Sequence, residues 1–227
     1  MATEVKGKRS GDGRVRQART RLARAAVVEA ARTLFLDRGY AATTIEAISG
    51  LSDVPPATVY RLFSSKLGIL KALLDASIAG DDEAIPLQDR PQTRALLADP
   101  DPRNQLAGFA GITRDVNSRA TIVYRILVSA AGSDPHAAAL LTEYTRQRQQ
   151  GQGQLARSLA RAEALRPELR SRDAADVIHA LMSPEVYRLL VTDRGWSPER
   201  YEQWLIATLI DQLLPPPTAA GNLEGPQ

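Results

Sequence analysis

Between Val54 and Lys66 the sequence VPPATVYRLFSSK gathers hydrogen-bonding side chains at a spacing suited to touching a polar surface outside the fold. Val59, Leu62 and Phe63 fall at i, i+3 and i+4, the apolar face of a short helix. Pro56, Ala57, Thr58, Tyr60 and Arg61 are left on the other side, which is slim and carries a hydroxyl, a phenol and a guanidinium. Such a face can meet nucleic acid. A guanidinium can read guanine with two hydrogen bonds, a threonine hydroxyl can bond a base edge, and proline or alanine can lie against a thymine methyl. Pro55 and Pro56 fix φ near the helical value and lack amide hydrogens that a first turn leaves unpaired anyway, so a helix can begin there.

Position on such a helix means little unless neighbouring elements hold it. Thr43 and Thr44 can cap a preceding helix whose inner side carries Ile45 and Ile48. Ser49, Gly50, Leu51, Ser52 and Asp53 then interrupt it with turn-prone residues, Asp53 being able to adopt a left-handed backbone. Two short helices across a tight turn make a helix-turn-helix, whose second helix enters the major groove. A small helical hairpin that binds no nucleic acid has the same spacing. Upstream, Leu22 to Arg38 is amphipathic, with Val27, Ala30, Ala31, Leu34 and Phe35 on one side. Downstream, Ser64 or Ser65 caps a fourth helix whose buried stripe is Leu70, Leu73, Leu74 and Ile78.

From Arg24 to Lys71 the chain resembles the DNA-binding domain of the tetracycline-repressor (TetR) family of bacterial regulators. Ala30, Ala31, Leu34-Phe35, Gly39-Tyr40, Thr44, Ile48, Val54, Thr58-Val59-Tyr60, Phe63 and Ser65-Lys66 carry the resemblance. Two positions depart from it. Asp53 stands where the family usually has glycine, and Pro55 stands where a serine or threonine usually caps the second helix, which a proline cannot do. The start of that helix is therefore expected to shift by a residue.

The resemblance implies roles for particular residues. Thr44, Tyr60 and Lys66 would grip phosphates, which positions a protein without reading sequence, and Thr43 is a further DNA-binding candidate. Base reading would fall to Thr58 and Arg61, with apolar contact from Pro56 and Ala57. It also implies dimerisation through a four-helix bundle of the last two long helices, a small-molecule pocket in the helical C-terminal domain, and repression relieved by the ligand.

Charge divides the chain in a way that fits this reading. Residues 1–80 hold 13 Lys and Arg against 7 Asp and Glu, a net of +6, and the remainder holds 16 against 19, a net of −3. A basic module joined to a mildly acidic one is what a DNA-contacting domain and its partner domain require. Residues 1–21 are the most basic stretch and are expected to be a flexible arm. Within it Arg14, Arg16, Arg19 and Arg21 are candidates to lie in a narrow minor groove.

Residues 81–101 have the Pro- and Asp-rich composition of a domain junction, with a short helix expected around Thr93 to Ala98. Beyond it the periodicity is helical throughout. The expected segments are Pro102 to Asn117, Arg119 to Ala131, Pro135 to about Leu165 with a break near Gly151 and Gly153, Arg172 to Thr192, and Pro198 to Leu214. Ser183-Pro184-Glu185 either kinks the fourth of these or caps a new start. Residues 215–227 read as a disordered tail.

The last segment has apolar residues on two sides, which fits one face in its own domain and another against a second subunit. Candidates for a dimer interface are Ile178, Leu189, Leu190, Tyr201, Trp204, Leu205, Thr208, Leu209 and Gln212. Candidates to line a pocket are Phe109, Ile112, Thr113, Val116, Tyr124, Leu127, His179 and Met182, although each has an ordinary core role as its plainer explanation. His179 alone on a helix reads as a hydrogen-bonded packing residue.

The expected fold is all-α: a helix-turn-helix domain over 22–80, linked by its fourth helix to a larger helical-bundle ligand-binding and dimerisation domain over 102–214. Apolar content of 44% and charged content of 24% fit a globular protein, and no run of apolar residues is long enough to span a bilayer. A cytoplasmic location is expected. With no cysteine and two scattered histidines, no metal and no cofactor is expected, and no phosphate-loop, dinucleotide or nucleophile-elbow pattern points to an enzyme. The expected partners are a palindromic operator in double-stranded DNA, a second copy of the chain and a small-molecule effector. The alternative is a helical interaction protein that keeps the fold without binding specific DNA.

Overall fold

The computed structural model describes residues 8–80 and 89–216, and among these every regular element is helical. Helix α1 (Lys8–Ala42) buries Val27, Ala30, Ala31, Leu34 and Phe35, the stripe read from the sequence. Gly39, at φ +77°, leaves helical geometry and closes its regular part, as expected of Gly39-Tyr40. The start differs from expectation. Residues 8–21, read as a flexible arm, continue the helix, while residues 1–7 lie outside the described residues. The cause is that adding turns to a formed helix needs no new nucleus, and in this stretch only Gly11 and Gly13 cost about 1 kcal/mol each relative to alanine.

Helix α2 (Ile45–Ser52) is capped by the Thr44 hydroxyl, which accepts the Ala47 N–H at 3.1 Å. It ends at Asp53, left-handed at φ 54°. Helix α3 (Pro56–Phe63) starts one residue after Pro55, with no side-chain cap; the Pro55 carbonyl accepts from Thr58 at 2.8 Å and from Val59 at 3.1 Å. Helix α4 (Lys66–Ala79) is capped by Ser65, whose hydroxyl accepts the Gly68 N–H at 3.0 Å. Gly68 is required there: a Cβ would stand 2.0 Å from the Phe63 carbonyl oxygen.

The remaining helices are α5 (Pro91–Leu97), α6 (Pro102–Ala131), α7 (Pro135–Arg161), α8 (Ser171–Leu181), α9 (Pro184–Tyr187) and α10 (Pro198–Leu213). Helix α6 is continuous where two segments were expected, because nothing at Ser118 stops it; the Ser118 hydroxyl donates back to the Asp115 carbonyl at 2.9 Å. Helix α7 runs without a break through Gly151 and Gly153. Burial of Leu155, Ala156 and Leu159 just beyond them outweighs the glycine penalty. It ends at Arg161, and Glu163 then turns left-handed at φ 52°.

The segment expected from Arg172 to Thr192 is three elements. Ser183 caps α9 by accepting the Val186 N–H at 3.2 Å, and Arg188–Asp193 then widens into a π-helical turn. An Arg188–Asp193 ion pair, at the five-residue spacing of a π turn, closes it.

The described chain forms two compact units. One comprises residues 8–80 with 119–144, the other 89–118 with 145–216. This corrects the division at 81–101 read from the sequence. Arg119 donates to the Ser77 carbonyl at 3.1 Å and Tyr144 donates to the Asp75 carboxylate, so 119–144 packs with α4. Residues 81–88 and 217–227 lie outside the described residues. The core of the second unit is built on Leu106, Leu155, Leu159, Ile178, Tyr201, Leu205, Leu209 and Leu213. No described helix is long and apolar enough to cross a membrane.

Candidate nucleic-acid interface

The sequence of α3 divides it cleanly. Val59 and Phe63 are buried, whereas Pro56, Ala57 and Arg61 are exposed, Tyr60 is 48% exposed and Thr58 is half-buried. Arg61 and the Tyr60 hydroxyl engage no partner among the described residues, so both are available outward. The turn before them is pinned from inside: the buried Ser49 hydroxyl donates to the Val54 carbonyl at 2.7 Å. That bond keeps Asp53 at the corner and fixes the direction in which α3 leaves it.

Three of the residues expected to contact DNA differ in where they point. Thr44 is exposed at the head of α2, though its hydroxyl already accepts a cap bond. Thr43 is wholly buried and its hydroxyl donates to the carbonyls of Gly39 at 2.8 Å and Leu34 at 3.2 Å, so it closes α1 and is withdrawn from the interface. Lys66 is also turned inward. Its Nζ donates to the carbonyls of Tyr40 at 2.7 Å and Thr43 at 2.8 Å, and lies 4.3 Å from the centre of the Tyr40 ring. Loss of solvent lowers the Lys66 pKa, with the charge of Asp134 opposing that shift. The ammonium therefore caps the end of α1 where a free phosphate anchor was expected.

Arg24 is the counterpart that the sequence did not reveal. It donates to the Leu62 carbonyl at 2.9 Å and stacks 4.6 Å over the Phe63 ring, closing the end of α3 against α1. An arginine on the polar side of an amphipathic helix carries no signal for that role. Gly68 did carry one, since a glycine in the first turn of a helix marks a close approach. Arg14, Arg16, Arg19 and Arg21 are all exposed along the early turns of α1.

In the second unit the interface candidates also divide. Ile178, Tyr201, Leu205 and Leu209 are fully buried within their own unit and cannot be covered further by a second subunit. Tyr201, Leu205 and Leu209 repeat every four residues on α10, which makes them its inner stripe, and Ile178 of α8 belongs to the same core. Leu189 is 50% exposed on the π turn and Gln212 is exposed; Leu190, Trp204 and Thr208 are partly exposed. Trp204 packs edge-on against Trp196 at 6.2 Å, and Arg200 lies 4.1 Å over Trp196.

Of the pocket candidates, Phe109, Thr113 and Met182 are buried and Ile112, Val116 and His179 partly so, all within the second unit. Phe109 and Met182 belong to its apolar core. Leu127, fully buried, and Tyr124, partly buried, fall in the first unit and are not neighbours in that core.

His179 sits in a polar network, as its solitary place on a helix suggested. Its Nε2 faces Arg148 Nη2 at 3.1 Å and its Nδ1 faces Gln152 Oε1 at 2.8 Å. Burial and then the Arg148 charge lower its pKa, against smaller opposing effects of Glu185 and Asp176. One further pattern was legible and passed over: Thr113, Asn117 and Thr121 make a buried polar row at four-residue spacing on α6. No cluster of His, Asp and Glu able to hold a metal occurs among the described residues.

A turn-linked helix pair with an outward polar face, braced by α1 and α4, defines a helix-turn-helix DNA-binding protein. Residues 27–73 match the family of bacterial regulatory proteins called the tetR family. Over 172 residues the chain is 28% identical to the uncharacterized HTH-type transcriptional regulator YdeS of Bacillus subtilis strain 168, covering 74% of this chain and 78% of that one. Its fold is similar to that of SmeT, the repressor of the Stenotrophomonas maltophilia multidrug efflux pump SmeDEF, in its triclosan complex. There the TM-score is 0.66 at 15% identity, over 90% of this chain and 98% of SmeT. A regulator-like protein from Saccharomonospora viridis in complex with choline is similar at a TM-score of 0.63 and 21% identity, over 86% of this chain and 98% of that one. Residues 27–73 therefore carry the DNA-binding domain of the tetR family of bacterial regulatory proteins, in a chain whose fold is that of TetR-family structures.

Proposed function

We propose that the protein is a repressor that binds a near-palindromic operator as a homodimer and leaves it when a small molecule occupies the second unit. The observation that carries the DNA-binding half is the idle outward pair on α3, the Arg61 guanidinium and the Tyr60 hydroxyl, on a helix held rigidly from behind. Arg61 and Thr58 read base edges, and Tyr60 and the Thr44 end of α2 meet phosphates. The arginines of α1 act as phosphate contacts. A helix about 10 Å across does not enter a minor groove about 6 Å wide, so they do not read it.

Two such helices reach successive major-groove faces when their centres are about 34–36 Å apart, which requires two copies of the chain. Leu189, Leu190, Trp204, Thr208 and Gln212 are the candidate residues that retain exposure for pairing. The solved complexes of SmeT with triclosan and of the Saccharomonospora protein with choline support small-molecule binding by a chain of this fold. A ligand that favours one spacing of the reading helices shifts DNA affinity by its own preference between the two states. The protein then works in the cytoplasm, where the DNA is.

Fluorescence anisotropy on DNA flanking the protein's own gene, across a salt series, tests this. Tight binding to one imperfect palindrome with a steep salt dependence is expected. Equal, weak binding to the palindrome and to a scrambled duplex would leave only a helical interaction protein.

A further inference from the structure

Arg24 fixes which side of α1 looks toward α3. Its guanidinium donates to the Leu62 carbonyl at 2.9 Å and lies 4.6 Å from the centre of the Phe63 ring, so the face of α1 that carries it runs past the last turn of α3. Arg14, Gln17 and Arg21 share that face. With Arg24 they are spaced i, i+3, i+7 and i+10, which at 3.6 residues per turn places all four within about 80° of one another. Arg16 and Arg19 point elsewhere, about 120° and about 180° from the middle of that stripe, the second beside Val15 and Leu22.

The stripe has no counter-charge of its own. No aspartate or glutamate occurs from Arg14 to Val28, and Arg21 and Arg24 stand three apart, a like-charge spacing that weakens a helix. Arg14, Gln17 and Arg21 are exposed and engage no partner among the described residues. A polyanion laid along the stripe would relieve the repulsion, and continuity with α3 says which one. An α-helix with its side chains is about 10–12 Å across and the major groove about 12 Å wide, so a helix seated in the groove has a phosphate strand at each rim. Helix α1 passes such a rim at the Leu62 end of α3. From Arg14 to Arg21 it rises about 10 Å, the axial span of about three phosphates on one strand, so the two guanidiniums can reach separate ones.

We propose that Arg14 and Arg21, with the Gln17 amide between them, continue the DNA-facing surface of α3 along α1 and hold the phosphate strand that borders its groove, while Arg16 and Arg19 take no part. This rests on the DNA-binding reading given above and narrows its α1 contacts from four arginines to two. Phosphates carry no base identity, so the stripe adds affinity and salt dependence alike on every sequence.

Two charge-matched variants of the full-length protein test it: Arg14→Ala/Arg21→Ala and Arg16→Ala/Arg19→Ala. Each removes two positive charges and puts the same helix former in their place, so net charge and helix propensity change equally. In fluorescence anisotropy across a salt series, the first is expected to reduce the slope of log affinity against log salt by about 3.6 for the homodimer, two phosphates on each copy at about 0.9 each. Its binding should weaken at least about tenfold at about 0.15 M salt, on the palindrome and on a scrambled duplex alike. The second variant should reduce the slope by less than about one.

A slope reduction for Arg14→Ala/Arg21→Ala no larger than that for Arg16→Ala/Arg19→Ala would overturn the proposal, because charge alone and not the face that carries it would then set the affinity. The unsubstituted protein separates this failure from that of the regulator reading. If it prefers the palindrome while the two variants lose slope equally, only the stripe fails. If it binds palindrome and scrambled duplex alike while the variants still differ, the regulator reading fails and the stripe stands; no DNA binding at all would overturn both.

Discussion

The two units differ in where most of their unpaired polar groups lie. In the first, cations that could face solvent are drawn inward to finish helices: Lys66 holds the carbonyls at the end of α1 and Arg24 the carbonyl near the end of α3. In the second, buried polar atoms are left incomplete, among them Gln105 Oε1 and Arg148 Nη1, although the first also holds one in Thr121 Oγ1. A reading head benefits from rigidity, since a guanidinium discriminates bases only if its backbone is fixed. A sensor benefits from unmet hydrogen bonds, because a ligand that meets them gains differential affinity for one state. The contrast is between a surface whose free groups point out and an interior whose free groups point in.

The sharpest way to break that contrast is to loosen the first unit. Gly68→Ala would place a Cβ 2.0 Å from a backbone oxygen of Phe63, and backbone can yield only by moving α3 against α4. A loss of about 3 kcal/mol is expected, which for a chain of this size is a fall in Tm of roughly 6–12 °C. DNA affinity should fall with it even well below the transition, because α3 is displaced. An unchanged Tm would show that the α3–α4 junction is not rigid, and the comparison would lose its first half.

Arg61→Ala comes next and leaves the fold alone. Binding to the operator should weaken by about 1–3 kcal/mol, roughly 5- to 150-fold, with the loss confined to one base step in a substituted-operator panel. Equal loss on operator and scrambled duplex would move Arg61 from base reading to phosphate holding.

Lys66→Ala then separates an internal cap from a DNA contact. Removal of its charged bonds to two carbonyls should cost about 1–2 kcal/mol of stability, seen as a lower midpoint in a denaturant titration. The slope of log affinity against log salt should stay as in the parent protein. A slope smaller by about one would return Lys66 to a phosphate.

How much of this was legible depends on whether the cause was local. The α2 cap at Thr44, the left-handed corner at Asp53 and the uncapped start after Pro55 are set within a few residues, and the sequence displayed all three. The resemblance suggested where Lys66 should point; the sequence held no cue that an ammonium at the head of α4 reaches back to Tyr40, because that contact spans 26 residues. The inner stripe of α10 was present in the spacing, but two apolar sides cannot be ranked without the partners that bury one of them. Pro184 announced a break, and the Ser183 cap before it fixed the kind. The π turn that follows had no signature beyond the Arg188 and Asp193 spacing.

The smallest effect probes the second unit by pH. Arg148 can only donate, so His179 Nε2 must accept from it, and the proton sits on Nδ1, which donates to Gln152 Oε1. Protonating Nε2 would set an N–H against the guanidinium, so the folded protein holds the imidazole neutral and its pKa below the ordinary value near 6.5, through burial first and Arg148 second. Glu185 and Asp176, the carboxylates facing it, reduce that shift without reversing it. Below about pH 6.5 the unfolded chain then binds a proton that the folded chain does not, so stability falls as pH drops through that value and levels off once the folded form is protonated too. In thermal melts between pH 7.5 and 5.5 the parent should lose more Tm than His179→Gln, which has no titrating ring. Parallel losses in the two proteins would mean that the neutral ring is not what the Gln152–His179–Arg148 network requires, and that the second unit tolerates a buried positive charge as readily as the first.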